Sequence, residues 1–144
     1  MDPLSALGLA GNIVAFIDLS YKVISGMTRV LDSASGMTQE NANLSILAED
    51  LNVVSQQLIS DVPARTENEK QLCRLSSNCY DLSKELVQLL RRLRVGDTKS
   101  TWQAARVKWQ SMRREKDVWA LERRLQGYQA EILIRLQIMF RLFH

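Results

Sequence analysis

The segment "LCRLSSNCYDLSKELVQLL", residues 72–90, carries the most regular hydrophobic pattern in this 144-residue chain. Its apolar side chains recur at alternating spacings of three and four residues, and the register continues just beyond the segment: Leu72, Leu75, Cys79, Leu82, Leu86, Leu89 and Leu93. This spacing places them on one face of an α-helix, as in the seam between packed helices. The pattern predicts a long helix, from about Glu67 to Val95, that buries one face.

Residues at both ends of this helix are typical of helix termini. Thr66, with Glu69 three residues later, matches a capping box, in which each side chain accepts a hydrogen bond from the other residue's backbone N–H. Gly96 follows as a C′ glycine. Within the helix, Cys73 and Cys79 lie six residues apart, which separates their Cα atoms by about 9 Å along the axis. That distance exceeds the reach of a disulfide, so we expect two reduced thiols.

Four further segments show the same helical spacing. With an N-cap at Asp2, their expected bounds are Pro3–Leu31, Thr38–Ser60, Ser100–Met112 and Val118–Phe143. Small residues in "DSASG", 32–36, separate the first two helices, and a shift of phase and charge near Glu115 indicates a kink or short break between the last two.

Long heptad-like helices with short connections predict an all-α fold, an antiparallel bundle of four or five long helices that forms one domain over residues 1–144. We expect one shared core that contains Leu47, Leu51, Leu75, Leu82, Leu86, Leu121, Leu125 and Ile132. The chain ends on the apolar "RLQIMFRLFH" without a polar tail, so we expect it to be part of a longer protein.

The first helix is amphipathic although it contains few charges. Its predicted apolar face comprises Leu7, Ala10, Val14, Ile17, Tyr21, Ile24 and Leu31, widened by Leu9, Ile13, Phe16, Val23, Met27 and Val30. The predicted opposite face is small or polar: Ser5, Gly8, Asn12, Ala15, Asp18, Lys22, Ser25 and Arg29. Asp18 and Lys22 are four residues apart and can form an ion pair. The uncharged run of residues 3–17 would be about 22 Å long as a helix, short of a ~30 Å hydrocarbon core, so it is not a constitutive membrane span.

Two sets of residues in the helices have more than one interpretation. Gly8 and Gly11 indicate either a close helix-packing motif or positions that a neighbouring helix simply crosses. The tryptophans Trp102, Trp109 and Trp119 lie among Arg and Lys. They fit a surface that stacks nucleic-acid bases, a set of interfacial membrane anchors, or core residues beside a solvated cationic face.

The charges are unevenly distributed. Residues 1–62 carry two cationic side chains and seven carboxylates, a net charge of −5, whereas residues 63–144 carry 17 and 9, a net charge of +8. The basic excess is greatest from Arg91 to Arg124. This asymmetry favours acidic partners, an anionic surface, or charge pairing between the two halves.

The residues needed for most catalytic sites are missing from the sequence. His144, the only histidine, is the last residue, which leaves little material for a zinc site or a histidine-based mechanism. No Gly-Lys-Ser/Thr phosphate-binding loop occurs, and the carboxylates follow helix-surface spacing rather than forming a pair. The sequence therefore predicts a non-enzymatic domain with no catalytic residues, no cofactor and no metal.

The opening "MDPLSALGLAGNIVAFIDLSYKVISG", residues 1–26, closely resembles the N-terminal domain of many fungal STAND (NLR-like) proteins. Three later segments resemble the following helices of that domain: "AEDLNVVSQQL", "LCRLSSNCYDLSKELVQLLRRLRV" and "WALERRLQGYQAEILIRL". The family is grouped with HeLo-like domains, and in its members a NACHT nucleotide-binding module and ankyrin, WD or TPR repeats often follow. The first 22 residues are the most specific part of the resemblance.

This resemblance implies a cell-death or heterokaryon-incompatibility effector of innate immunity, inert as a monomer and activated by oligomerisation. It implies a cytoplasmic protein that moves to the plasma membrane, with itself, anionic lipids and the downstream modules as partners. The helix expected to insert and oligomerise would use Leu4, Leu7, Gly8, Gly11, Ile13, Val14, Phe16, Ile17 and Asp18. The residues expected to contact the anionic surface are Arg106, Lys108, Arg113, Arg114, Arg123 and Arg124.

Two other function classes remain open. The first is a homotypic or heterotypic signalling adaptor of an NLR-like receptor, without membrane activity. The second, a nucleic-acid-binding module, depends only on the basic stretch, and we expect no specific nucleic-acid partner.

Overall fold

The structure is a computed structural model that describes residues 2–32, 39–92 and 99–143. These residues form five α-helices and no strand, which confirms the predicted all-α bundle. The helices are α1 (Pro3–Asp32), α2 (Gln39–Gln56), α3 (Glu67–Arg92), α4 (Lys99–Arg114) and α5 (Asp117–Phe143). The predicted break at residues 32–36 and the predicted cap at Gly96 lie largely outside the described residues.

Helix α1 is the central element, because it packs against all four other helices. Around it, α2 packs on α3 and α3 packs on α5, while α4 lies against α1 and α5. Polar contacts show that the helices of two pairs, α1 with α2 and α3 with α5, run in opposite directions. Asn12 near the start of α1 reaches the Gln57 carbonyl just after α2, and Asn68 at the start of α3 bonds to Arg135 in the second half of α5.

The ends of three helices show the predicted local chemistry. Asp2 caps α1 by accepting a hydrogen bond from the Ser5 N–H at 2.8 Å. At the start of α3, the Glu69 N–H donates to Thr66 Oγ1 at 3.1 Å and the Thr66 N–H donates to Glu69 Oε2 at 3.2 Å, which confirms the capping box. Between α4 and α5, Lys116 adopts a φ of 65°, so the predicted break near Glu115 is a turn through the left-handed region.

Helix α2 is shorter than predicted and ends at Gln56 instead of Ser60. The last turn there is tighter than an α-helical turn, because its hydrogen bonds join residues three apart. The Gln57 N–H donates to the Val54 carbonyl at 3.0 Å, and the Leu58 N–H donates to the Ser55 carbonyl at 3.2 Å. The Ser76 hydroxyl of α3 donates to the Leu58 carbonyl, and the Leu58 side chain is buried. The helix thus ends before the apolar pattern does, at the point where Leu58 contacts α3.

The predicted core is largely correct. Six of the eight expected residues are buried, and the other two, Leu47 and Leu121, are half-buried at its margin. Trp102 and Trp109 belong to the core, whereas Trp119 is exposed. The cysteines are free thiols as expected, and burial raises the pKa of Cys79 to about 12.

The seam of α3 provides a direct test of this core. Replacing the fully buried Leu82 with Ala removes three side-chain carbons from a packed site, so we expect the free energy of unfolding to fall by about 2–5 kcal/mol in a urea melt. The same truncation at the exposed Leu133 of α5 is the matched control, with an expected change within about 0.5 kcal/mol. Equal losses at the two positions would contradict the assigned register of α3.

Candidate functional site

The first half of α1 is a capped helix whose outer side is apolar. Its first turn is fixed by Asp2, since the Ser5 N–H and Ser5 hydroxyl both donate to this carboxylate, and these hydrogen bonds hold the pKa of Asp2 below its usual value. The cap is therefore made by an ionised carboxylate at neutral pH. It presents Leu4, which is 81% exposed, on an ordered turn.

The exposed residues of this half helix form one continuous surface, here called the outer stripe. Its members are Leu4, Leu7, Gly8, Gly11, Val14 and Ala15. The stripe leads into Asp18 and Lys22, which form the predicted ion pair at 3.1 Å with both side chains exposed. A row of apolar and small side chains thus ends in a pair of opposite charges on the surface of the bundle.

Two predicted core positions of α1 are wrong. Leu7 and Val14 were expected on the buried face, but they are 41% and 45% exposed. The buried seam instead follows a repeat that includes Ser20: Leu9, Ile13, Phe16, Ser20, Val23, Met27 and Val30. The buried face contains the polar Ser20 and excludes Leu7 and Val14. For this reason the predicted apolar face of α1 is rotated by part of a turn from the face that is buried. The polar face is predicted more accurately, with Ser5 and Asn12 half-buried and the other members exposed.

The structure separates the residues of the expected insertion helix into two groups. Leu4, Leu7, Gly8, Gly11, Val14 and Asp18 are exposed. Ile13, Phe16 and Ile17 are buried in the core, where α1 meets the other helices. The two groups occupy opposite sides of one helix, so the second can reach a new partner only if α1 leaves the bundle.

The glycines of the outer stripe are not packing contacts within the bundle. A Cβ atom added at Gly8 or Gly11 would meet no described atom within 4 Å. No helix of residues 2–32, 39–92 and 99–143 crosses there, so both sequence interpretations fail for this part of the folded monomer. The close approach occurs at Gly26, where a Cβ would lie 3.4 Å from Leu44 Cδ1 and 3.6 Å from Leu47 Cδ1 of α2. Gly26 was missed because no second glycine accompanies it.

Polar contacts hold α1 to the bundle in its first half and at its C-terminal end. Asn12 Nδ2 donates to the Gln57 carbonyl at 3.0 Å. Trp102 Nε1 of α4 donates to the carbonyl of Val30 at 3.4 Å, one of the last carbonyls of α1, which have no partner inside the helix. Arg113, on the last turn of α4, pairs with Asp32. Helix α4 therefore covers the C-terminal end of α1 through these two polar contacts.

One buried polar group of α1 lacks such a contact. Ser20 is fully buried in the seam, and its Oγ has no hydrogen-bond partner among the described residues. Ser20 is therefore a polar side chain within the otherwise apolar seam that α1 packs against the other helices.

The six cationic residues expected at an anionic surface differ in their surroundings. Arg113 and Arg124 have partners within the chain: Asp32, and Glu85 at 2.7 Å, whose hydrogen bond raises the pKa of Arg124. Arg106 lies over the buried Trp102 ring. Arg123 lies over the exposed Trp119 ring, 5.2 Å from its centroid. Lys108 and Arg114 are exposed and form no ion pair with a described residue.

No arrangement of side chains in the described part of the chain suggests catalysis. A cleft of about 350 Å³ between the end of α2 and α3 is lined by Leu58, Ile59, Ser60, Cys73, Ser76, Ser77 and Tyr80. Burial and the nearby Glu69 raise the pKa of Cys73, so this thiol stays protonated at neutral pH rather than acting as a nucleophile. Among residues 2–32, 39–92 and 99–143, no three His, Cys, Asp or Glu side chains cluster in a way that could hold a metal ion.

By length and composition, α1 is the one helix of the described chain that could cross a membrane. The apolar segment runs from Leu4 to Asp32, which at 1.5 Å per residue is about 44 Å, longer than a ~30 Å hydrocarbon core. Core helices of soluble proteins pass the same test, and 44% of the most apolar window of α1 is buried. Comparison with family models, with curated proteins and with solved structures gives no match.

The open space around the glycines allows a stability test. Because neither Cβ would meet another atom, Gly8→Ala and Gly11→Ala should each raise the free energy of unfolding by about 1 kcal/mol, the difference in helix propensity. Gly26→Leu is the matched contrast and should destabilise, since the larger side chain displaces α2. A loss of stability on Gly8→Ala, measured by urea melts, would contradict the exposed position of the stripe.

Proposed function

We propose that this domain is a non-enzymatic effector that stays inert as a monomer and acts on membranes when several copies are clustered. It would be the N-terminal domain of a fungal NLR-like receptor of the HeLo-like type, with a nucleotide-binding module and repeats as downstream partners. The observation that carries the proposal is the outer stripe, an apolar surface on a helix long enough to span a bilayer. The resemblance of residues 1–26 supports the same function.

The monomer gains nothing from inserting α1 alone. A single helix would place Asp18 and Lys22 in hydrocarbon, at about +2.5 to +3.5 kcal/mol each near the bilayer centre. It would also have to leave a core in which it contacts every other helix. The docked state is therefore the stable state of one isolated copy.

Clustering changes this balance. In a ring of helices, the polar face with Gly8, Ala15, Asp18 and Lys22 lines a wet lumen, so the two charges stay hydrated. The face that is buried in the bundle, with Ile13, Phe16 and Ile17, then contacts lipid or neighbouring helices, and Leu7 and Val14 at the edge of the outer stripe do so as well. Gly8 and Gly11, which contact no other described helix of the monomer, let the helices of a ring approach closely.

The first contact with the plasma membrane would use the Arg123–Trp119 pair. Trp119 is exposed, and an indole next to a cation suits the interface between hydrocarbon and anionic headgroups. Arg106, Lys108 and Arg114 add positive charge on α4, whereas Arg113 and Arg124 are engaged within the bundle and contribute less.

An adaptor without membrane activity is the second candidate. The outer face of α5 favours it, since this face exposes several large apolar side chains: Trp119, Leu133, Ile134 and Phe140. Such a surface suits a protein partner as well as a lipid surface. Clustered protein distinguishes the two functions, because only the membrane effector releases vesicle contents.

Dye release from anionic liposomes tests the outer stripe. Fused to an inducible oligomeriser, the wild-type chain should cause leakage after clustering, while Leu7→Glu with Val14→Glu should abolish it. Both side chains are exposed, so two glutamates change the stripe without entering the core. Removing residues 1–17, or placing Glu at Ile13 and Ile17, is a poorer test because those changes disrupt buried packing.

The matched control is Ile59→Glu with Val62→Glu. These residues lie between α2 and α3 and are 52% and 42% exposed, close to the values of the tested pair. The control should leak like the wild type. Equal leakage from the folded stripe variant would remove the outer stripe from the mechanism, and no leakage from any clustered protein would favour the adaptor.

Vesicle binding tests the Arg123–Trp119 pair. Arg123→Glu changes the charge by two units near the surface, worth about 2 kcal/mol or a roughly 30-fold loss of affinity for anionic vesicles at low salt. Trp119→Ala should also weaken binding. Arg74→Glu, at an exposed position of α3, makes the same charge change and should have a small effect. Equal losses for Arg123→Glu and Arg74→Glu would show that net charge alone sets the affinity.

A further inference from the structure

The outer face of α2 combines exposed apolar and acidic side chains. We call Ile46, Glu49, Asp50 and Val53 the acidic patch; all four are exposed, and they lie at helical spacing on one side of the helix. Neither carboxylate forms an ion pair with any residue that the structure describes. The patch is therefore an apolar pair of side chains around two uncompensated negative charges.

The outer face of α4 has the complementary composition. We call Ala104, Val107, Lys108 and Arg114 the basic patch; all four are exposed, and Val107 is the most exposed valine among the described residues. Arg113, the neighbouring cation, already pairs with Asp32, so Lys108 and Arg114 are the cations of this face that have no carboxylate partner in the described chain. Two apolar side chains are again combined with two charges, now positive.

The two patches belong to different sides of the bundle. Helix α2 packs on α1 and α3, whereas α4 packs on α1 and α5. One copy cannot bring its own patches together. A second copy of this chain offers the matching patch, with Val107 against Ile46 and Val53, and with Lys108 and Arg114 near Glu49 and Asp50.

We propose that the acidic patch of one copy docks on the basic patch of the next. The contact is heterologous, so a docked pair keeps one unused patch of each kind, one on each copy, and the assembly continues into a ring or an open row. This inference rests on the proposed function, which requires clustering, and it names the surfaces that order the clustered copies.

The size of the patches sets when docking occurs. The acidic patch spans about two helical turns and the basic patch about three. A contact between four side chains on each side covers far less than the roughly 800 Å² per partner of a stable interface. Free copies at low concentration therefore stay apart. Tethering by an oligomerised receptor raises the effective concentration to about the millimolar range, where such a weak contact is populated.

Charge reversal in two separate chains tests the proposal. One chain carries Glu49→Lys with Asp50→Lys, and the other carries Lys108→Glu with Arg114→Glu. Each alone should associate at least tenfold more weakly than the wild type in low-salt sedimentation of concentrated protein. Their equimolar mixture should recover association, since every contact is again between opposite charges. Lys70→Glu with Arg74→Glu, on exposed positions of α3, is the charge-matched control and should associate like the wild type.

Disulfide trapping in clustered protein locates the contact. In a Cys73→Ser background, chains with Val53→Cys and chains with Val107→Cys are clustered together through an inducible oligomeriser without membranes. They should cross-link at least tenfold faster than chains with Val53→Cys and Ile134→Cys, the latter being a comparably exposed position on α5. Equal rates, or a reversal mixture that remains as monomeric as its components, would overturn the proposal.

This outcome is separate from that of the proposed function. Leakage without preferential cross-linking overturns the docking of the two patches and leaves the membrane activity in place. Preferential cross-linking without leakage supports the docking and overturns the membrane activity.

Discussion

The burial of α1 is the constraint on which the rest of the structure depends. This helix contacts each of the other four, and its seam of Ile13, Phe16, Val23 and Met27 supplies the middle of the core. Helix α4 in turn closes the end of α1 through the Trp102 indole and the Arg113 guanidinium. Any function that moves α1 therefore competes with the folding of the whole domain, and any function that leaves it docked can use only its outer side.

The heptad pattern predicted the architecture because burial in a bundle repeats with the helix. Residues 72–90 predicted the α3 seam correctly, and Thr66 with Glu69 predicted where that helix begins. The face of α1 was harder to predict, because nearly all of its residues are apolar or small and the period alone does not fix the phase. Just after the end of α2, the Leu58 carbonyl accepts a hydrogen bond from Ser76, a residue 18 positions later, and no local pattern encodes such a contact.

The candidate site was predictable in composition but not in arrangement. The sequence identified Gly8 and Gly11 as unusual, yet only the structure shows that the space above them is open, while the glycine in close contact is Gly26. Likewise, the sequence shows the basic stretch as a run of charges, but it does not show which carboxylates form ion pairs with these cations. Arg113 and Arg124 find carboxylates 81 and 39 positions away along the chain, and those partners follow from helix packing.

Ser20 gives the docked helix a particular energetic character. A buried hydroxyl without a partner costs about 1–3 kcal/mol relative to a satisfied one, and this one lies in the seam that holds α1 in place. The bundle with α1 docked is therefore less stable than the burial of its apolar area alone would make it. This cost disappears when the Ser20 hydroxyl reaches water or a polar neighbour. It therefore destabilises only the state in which α1 is docked in the bundle. One oxygen atom thus lowers the stability of the docked state of α1 relative to a state in which the helix is released.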